Sequence, residues 1–188
     1  MIHRTSCGNC TTCCHLVPVV ELKLRAFTAC EHERRVPSAS PGCAIYANRP
    51  DSCRTWFCGY RINEWPADLR PDSCGVVVDP LPDMVRLRGP GKSPNGDDVA
   101  AVAMWVAAGY EDAWQRDPVR SLIMALVHEY GAVLWRYRGA DGVETARGFF
   151  VHEGQMAATQ PATVDKDFSS RRDVAARALR AQELLRRR

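Results

Sequence analysis

The chain has 188 residues, a length that suggests one domain, or one domain with an appended lobe, and its 46% hydrophobic and 25% charged residues supply enough apolar material for a core, so disorder is not the default. It contains no run of about 18 apolar residues, which excludes a membrane-spanning helix, and its opening Met1-Ile2-His3-Arg4-Thr5-Ser6 lacks the apolar stretch of a secretory signal, so a cytoplasmic location is expected. The net charge of +3 is uneven. Residues 1–70 carry nine Lys/Arg against six Asp/Glu, residues 71–170 nine against fourteen, and residues 171–188 seven against two. A basic balance confined to a tail without interleaved aromatic residues does not point to nucleic acid.

In chain order, Cys7 to Cys14 reads as irregular loop, and Leu16 to Phe27 has an apolar pattern that fits a strand and a short helix equally. Pro37 to Gly42 is turn material. Pro50 suits the first position of a short helix running to about Phe57, with Gly59 just past its end. Gly75–Val78 and Met84–Leu87 read as two strands of a hairpin joined by the proline-rich turn Asp79–Asp83, and Pro90 to Gly96 as a loop. Asp97 or Asp98 is expected to cap a helix over Val99–Ala108, closed by Gly109 and buried because it is apolar nearly all round. A second helix is capped by Asp117, started by Pro118 and ended by Gly131, with Val119, Leu122, Ile123, Leu126, Val127 and Tyr130 on one face. Strands Ala132–Arg138 and Thr145–Val151 follow around the turn Gly139–Gly142. Val133, Trp135 and Tyr137 face one side of them, Arg136 and Arg138 the other. From Asp167 the tail reads as an amphipathic helix with Val174, Ala178, Leu179 and Leu185. The expected class is α+β: a small irregular cysteine-rich metal-binding module with short helices and a hairpin over 1–80, a helical and β-hairpin lobe over 81–166 packed on it, and a basic C-terminal helix over 167–188. Docking of that helix on the acidic middle segment is expected.

Eight of the nine cysteines lie between positions 7 and 58, and the ninth is Cys74. In a reducing compartment clustered thiols bind metal or do redox work, and an odd number excludes a complete set of internal disulfides. Cys7-Gly-Asn-Cys10-Thr-Thr-Cys13-Cys14 is a C-x2-C-x2-C-C run, whose two-residue gaps let thiolates converge on one centre. Such a series is similar to the ligand run of an iron–sulfur cluster. Adjacent Cys13 and Cys14 are expected to diverge, one toward the centre and the other toward a second metal or into packing. The remaining candidates are Cys30, Cys43, Cys53 and Cys58. Cys53 falls in the first turns of the helix after Pro50, where free backbone N–H groups stabilise a thiolate. Arg49 and Arg54 flank it and are expected to offset the charge of −2 on a zinc ion or an oxidised four-iron cluster with four thiolates. Arg34, Arg35 and Arg61 add to that charge. His15 and His32 are lesser candidates, and Cys74 reads as a buried thiol.

The combined pattern C-x2-C-x2-C-C, then Cys30, then Cys43-x-Ile45-Tyr46-x-x-Arg49-Pro50-x-x-Cys53-Arg54-x-x-x-Cys58 resembles the YkgJ-type cysteine-cluster proteins, the CxxCxxCC or zinc- or iron-chelating domain family. Leu69-Arg70-Pro71-Asp72-Ser73-Cys74-Gly75-Val76-Val77 is also similar to members of that group. The resemblance spans roughly residues 7–78. It implies a bacterial cytoplasmic metal-binding module and leaves the metal open between a four-iron cluster and zinc. The flagellin lysine methylase group has a similar cysteine cluster associated with an iron–sulfur centre, which favours iron, but no cofactor motif here carries methylase activity across.

Other motifs fail on inspection. Gly91-Lys92-Ser93 imitates the end of a phosphate-binding loop, but Arg86 stands where its first glycine belongs, and Pro94 interrupts the helix. His128-Glu129 and His152-Glu153 lead to Ala132 and Met156 instead of a second histidine. The five tryptophans read as core and packing residues. Three functions are therefore weighed: a cysteine-ligated iron–sulfur protein in electron transfer or support of a partner enzyme, a structural zinc protein acting as an interaction module with a protein partner, and a cluster-dependent redox enzyme.

Overall fold

In the computed structural model, residues 9–34 and 42–159 and the backbone of residues 162–163 are described. Cys7, Arg35 and the expected helix over 167–188 lie outside the described residues. The fold is α+β.

Its central element is a ten-residue strand, Asp97–Val106, where the sequence suggested a helix over Val99–Ala108. The burial is as expected and the period is not. Val102, Met104 and Val106 enter one apolar cluster. Ala101, Ala103 and Trp105 enter two others. A strand covered on both faces is apolar at every position, and on periodicity alone it cannot be told from a buried helix.

In chain order the strands are β1 (Glu33–Arg34), β2 (Gly42–Cys43), β3 (Val76–Val78), β4 (Asp83–Leu87), β5 (Asp97–Val106), β6 (Ala132–Arg138), β7 (Glu144–His152), β8 (Gln155–Ala158) and β9 (Ala162–Thr163). β1 and β2 form a separate pair, and the other seven make one sheet. β3 and β4 do not pair with each other as a hairpin. Both run antiparallel to β5, Val76–Val78 opposite Val106–Met104 and Asp83–Leu87 opposite Ala101–Asp97. The break between them holds Pro80 and Pro82, which have no N–H for a ladder. The buried Asp79 carboxylate accepts the Leu81 N–H at 3.2 Å across it. The compositional boundary near residue 80 thus falls in a gap whose two flanks belong to the same sheet. β6 lies parallel to β5, β7 returns antiparallel to β6 as the second hairpin requires, and β8 and β9 pair with β7.

Five α-helices are described: α1 (Cys13–Leu16), α2 (Asp51–Thr55), α3 (Gly59–Asn63), α4 (Pro71–Cys74) and α5 (Val119–Tyr130). α5 makes the parallel crossover from β5 to β6, as parallel neighbours require. Asp117 accepts hydrogen bonds from the Ser121 N–H at 3.1 Å and hydroxyl at 2.6 Å, and Gly131 ends the helix at φ 105°. The apolar stripe Val119, Leu122, Ile123, Leu126 and Val127 packs on Val133, Trp135 and Phe149 of the sheet. α2 stops at Thr55, short of Phe57, and Gly59 opens α3 instead of closing α2. The reason is the extended Trp56 and Cys58 between them, which drop their side chains into the core. Leu16–Phe27 is neither a single strand nor a single helix. It holds the end of α1, a 3-10 turn at Val20–Leu22 and a lone bridge between Val19 and Leu24.

The cysteine-rich segment covers the sheet face opposite α5. Leu16, Val17, Ala26, Trp56, Cys58 and Tyr60 bury Val77, Ala103 and Trp105. Trp105 is fully buried, with the Phe27 ring 5.7 Å from it and the Arg136 guanidinium 3.9 Å over its face. A tryptophan so placed contributes about 3–5 kcal/mol on truncation to alanine. Arg136 pairs with Glu144, and Arg138 donates to the Ala26 carbonyl at 3.1 Å. The arginine face of β6 is therefore a contact with the cysteine-rich segment.

Candidate metal centre

Cysteines from four stretches of chain border one cavity. Cys10, Cys13 and Cys14 come from the turn into α1, Cys30 from the loop before β1, Cys43 from β2 and Cys53 from α2. All six line one cavity of about 430 Å³, with His32, Arg49 and Arg61, and with Val19, Leu22, Leu24 and Ile45 as its apolar wall. The backbone explains the convergence. The Cys30 N–H donates to the Cys14 carbonyl at 2.9 Å, the Ala44 N–H to the His32 carbonyl at 2.7 Å, and Glu33 sits opposite Cys43 in the β1–β2 pair.

Two carboxylate arrangements, one of them buried, brace these stretches. The Glu33 side chain is only 4% exposed. It accepts the Thr11 hydroxyl at 2.5 Å and meets His15 Nε2 at 2.7 Å, so β1 holds the first cysteine turn from below. Glu21 accepts the Ser52 N–H at 3.2 Å and hydroxyl at 2.8 Å. That corrects one expectation. At the α2 N-terminus the Ser52 N–H is taken by Glu21 and the Cys53 N–H by the Pro50 carbonyl at 3.0 Å, so neither is free for the Cys53 thiolate.

The arginines divide. Arg49 lines the cavity, lying 3.7 Å over the Tyr46 ring with its Nε donating to the Tyr46 carbonyl at 3.0 Å. Arg61 also lines it and lies over Phe57. Arg54 does not; it is an exposed partner of Asp51 at 3.8 Å. Arg70, which sequence reasoning passed over, donates to Asn9 and, at 2.6 Å, to Asp72, and Cys10 is among the groups that raise its pKa after the larger Asp72 bond. It stands at the cap of α4, 60 residues from Cys10, so no local pattern marks it.

Two cysteines stand apart. Cys58 is buried among Trp56, Tyr60 and Trp105 and does not line the cavity. Cys74 is buried in the α5 cluster, and burial pushes its thiol up to about 11, as an inert packed thiol requires. His15 is engaged with Glu33, whereas His32 faces the cavity. Both Cys13 and Cys14 line the cavity, and Cys13 also packs against the Trp105 cluster.

No disulfide joins any two of the eight described cysteines. Among the described residues, no three His, Cys, Asp or Glu side chains are drawn together as the ligands of a bound ion are. The donor set is nevertheless soft and nearly all sulfur, the chemistry that selects zinc or an iron–sulfur cluster over calcium or magnesium. No family model, curated protein or solved structure matches the chain. No helix among the described residues is long and apolar enough to cross a membrane.

Proposed function

We propose that this protein binds metal through a cysteine-ligated centre, a four-iron iron–sulfur cluster before zinc, and acts in the cytoplasm in electron transfer or in support of a partner enzyme. One observation carries the reading. Six of the eight described cysteines face a single cavity although they come from four separate stretches, while the two others are packed in apolar clusters. Packing alone would not sort thiols in that way. The resemblance to the YkgJ-type cysteine-cluster proteins agrees with it, with Cys10, Cys13 or Cys14, Cys30, Cys43 and Cys53 as the ligand pool and Cys7 joining them by its spacing. Arg49 is the cation best situated to offset the charge of the centre.

A structural zinc site is the second reading. It is favoured by the shortness of the elements around the cavity, with helices of four and five residues and strands of two. Such a segment gains its folding energy from a metal more readily than from its own secondary structure. Protein purified without air and assayed for iron, zinc and acid-labile sulfide separates the two. Iron and sulfide in equal amounts with a brown colour support the cluster; zinc without sulfide supports the structural site; neither metal at stoichiometric level refutes both.

A further inference from the structure

The walls of the cysteine cavity are basic, and residues 71–159 are acidic. A second, smaller cavity shares Leu22, Leu24 and Cys30 with the first. Together their walls contain four cations, Arg49, Arg61, Lys23 and Arg25, against one carboxylate, Glu31. Glu21 and Glu33 are taken up by Ser52 and by Thr11 and His15. Residues 71–159, by contrast, carry twelve Asp/Glu and eight Lys/Arg, a net of −4. At the mouth of the first cavity Tyr46 is 64% exposed, the most exposed large hydrophobic side chain described, and Arg49 is already stacked on its ring.

Exposed tyrosine and arginine are the side chains that anchor protein interfaces, and a pair already held in place loses little freedom on docking. We infer that this face docks an acidic protein, with Tyr46 as the central contact and Lys23, Arg25 and Arg49 as the steering charges. The inference rests on the reading of the cavity as a metal centre in electron transfer, and it specifies the partner: a carrier with a carboxylate-rich surface, brought to within a few side chains of the cysteines. Charges at such a rim act chiefly on the association rate and its salt dependence, and exposed pairs add little to the complex once formed.

The test uses the full chain with two small acidic electron carriers, a flavodoxin and a [2Fe–2S] ferredoxin, by surface plasmon resonance under nitrogen. The double variant Lys23→Glu/Arg25→Glu should weaken binding about tenfold at low salt, mainly through the association rate. Lys23 already has a left-handed backbone, φ 51°, and a glutamate there is no more strained than the lysine. Tyr46→Ala should weaken binding about tenfold through the dissociation rate, and Arg120→Glu on α5 should change nothing. Raising the salt from about 50 to 500 mM should cost the wild type a further tenfold or more. Absence of binding to both carriers, equal binding by the charge-reversed and wild-type chains, or a single-stranded oligonucleotide bound tighter than either carrier would each overturn the inference. Iron, zinc and sulfide are measured on the same samples. A metal-free wild type refutes the metal reading by itself, and the charge-reversed variant still decides the docking.

Discussion

Replacing Glu33 by alanine removes the brace beneath the first cysteine turn. The carboxylate is 4% exposed and receives the Thr11 hydroxyl at 2.5 Å and His15 Nε2 at 2.7 Å. A hydrogen bond to a charged acceptor contributes about 1.5–3 kcal/mol, so two set an upper limit near 3–6 kcal/mol. His15 is 27% exposed and regains water when released, and the variant no longer buries a carboxylate. Both effects pull the net loss to about 2 kcal/mol. Glu33→Gln keeps an acceptor without charge and should lose about 1 kcal/mol. Urea denaturation under reducing, anaerobic conditions measures both. Hydrogen exchange then locates the effect, with protection falling in residues 10–34 and staying unchanged in α5. Metal retention should fall in the same order, alanine below glutamine below wild type. Equal stability of Glu33→Ala and wild type to within about 0.5 kcal/mol would refute the bracing role.

Cys10→Ser and Cys53→Ser should each lower bound metal sharply, whereas Cys74→Ser and Cys58→Ser should retain it and instead lose about 1–2 kcal/mol of stability by burying a hydroxyl; metal analysis beside urea denaturation separates the two pairs. Chelation or oxidative loss of the centre should release exchange protection in the cysteine-rich segment first and in α5 last, because the α5 stripe is packed without metal; simultaneous loss in both would show one cooperative unit. Asp117 is held below the usual carboxylate range by its bonds from Ser121, so its contribution to α5 is present above the unfolded pKa and is lost as pH falls through the lower folded value. Asp117→Asn should therefore flatten the acid limb of the stability curve, and an unchanged acid limb would refute the cap.

Legibility in the sequence followed how local each cause is. α5 was legible because Asp117-Pro118, the stripe and the terminal glycine all lie within fifteen residues, although the helix starts one residue later than expected, at Val119 with Pro118 in the cap position. The β6–β7 hairpin was legible because alternation and turn chemistry coincide at Gly139–Gly142. β5 was not legible as a strand, since its two faces are buried by separate elements, one by α5 and the other, around Trp105, by the distant segment of Leu16 and Phe27. The pairing of β3 and β4 was hidden for the same reason: their proximity in sequence suggested a hairpin, but β5 offers both a longer apolar partner.

The cysteine site divides along the same line. Spacing alone marked which residue types gather, because a two-residue gap is a statement about local backbone reach. It could not separate Cys53 from Cys58, which look alike in sequence and lie five residues apart on opposite sides of the chain. Cys53 sits on α2, facing the cavity, and Cys58 on the extended stretch after it, where the Trp105 core receives it. Nor could spacing find Glu33 or Arg70, whose partners lie 22 and 61 residues away. What positions the candidate ligands is thus nonlocal: the sheet face built by β3, β5 and β6 anchors Leu16, Phe27, Trp56 and Cys58, and the cysteines between those anchors are left to face the cavity. Truncation of the apolar anchors Leu16, Phe27 or Trp56 to alanine should consequently disturb metal binding more than Cys74→Ser, because Cys74 has the same chemistry as the ligands and none of their placement.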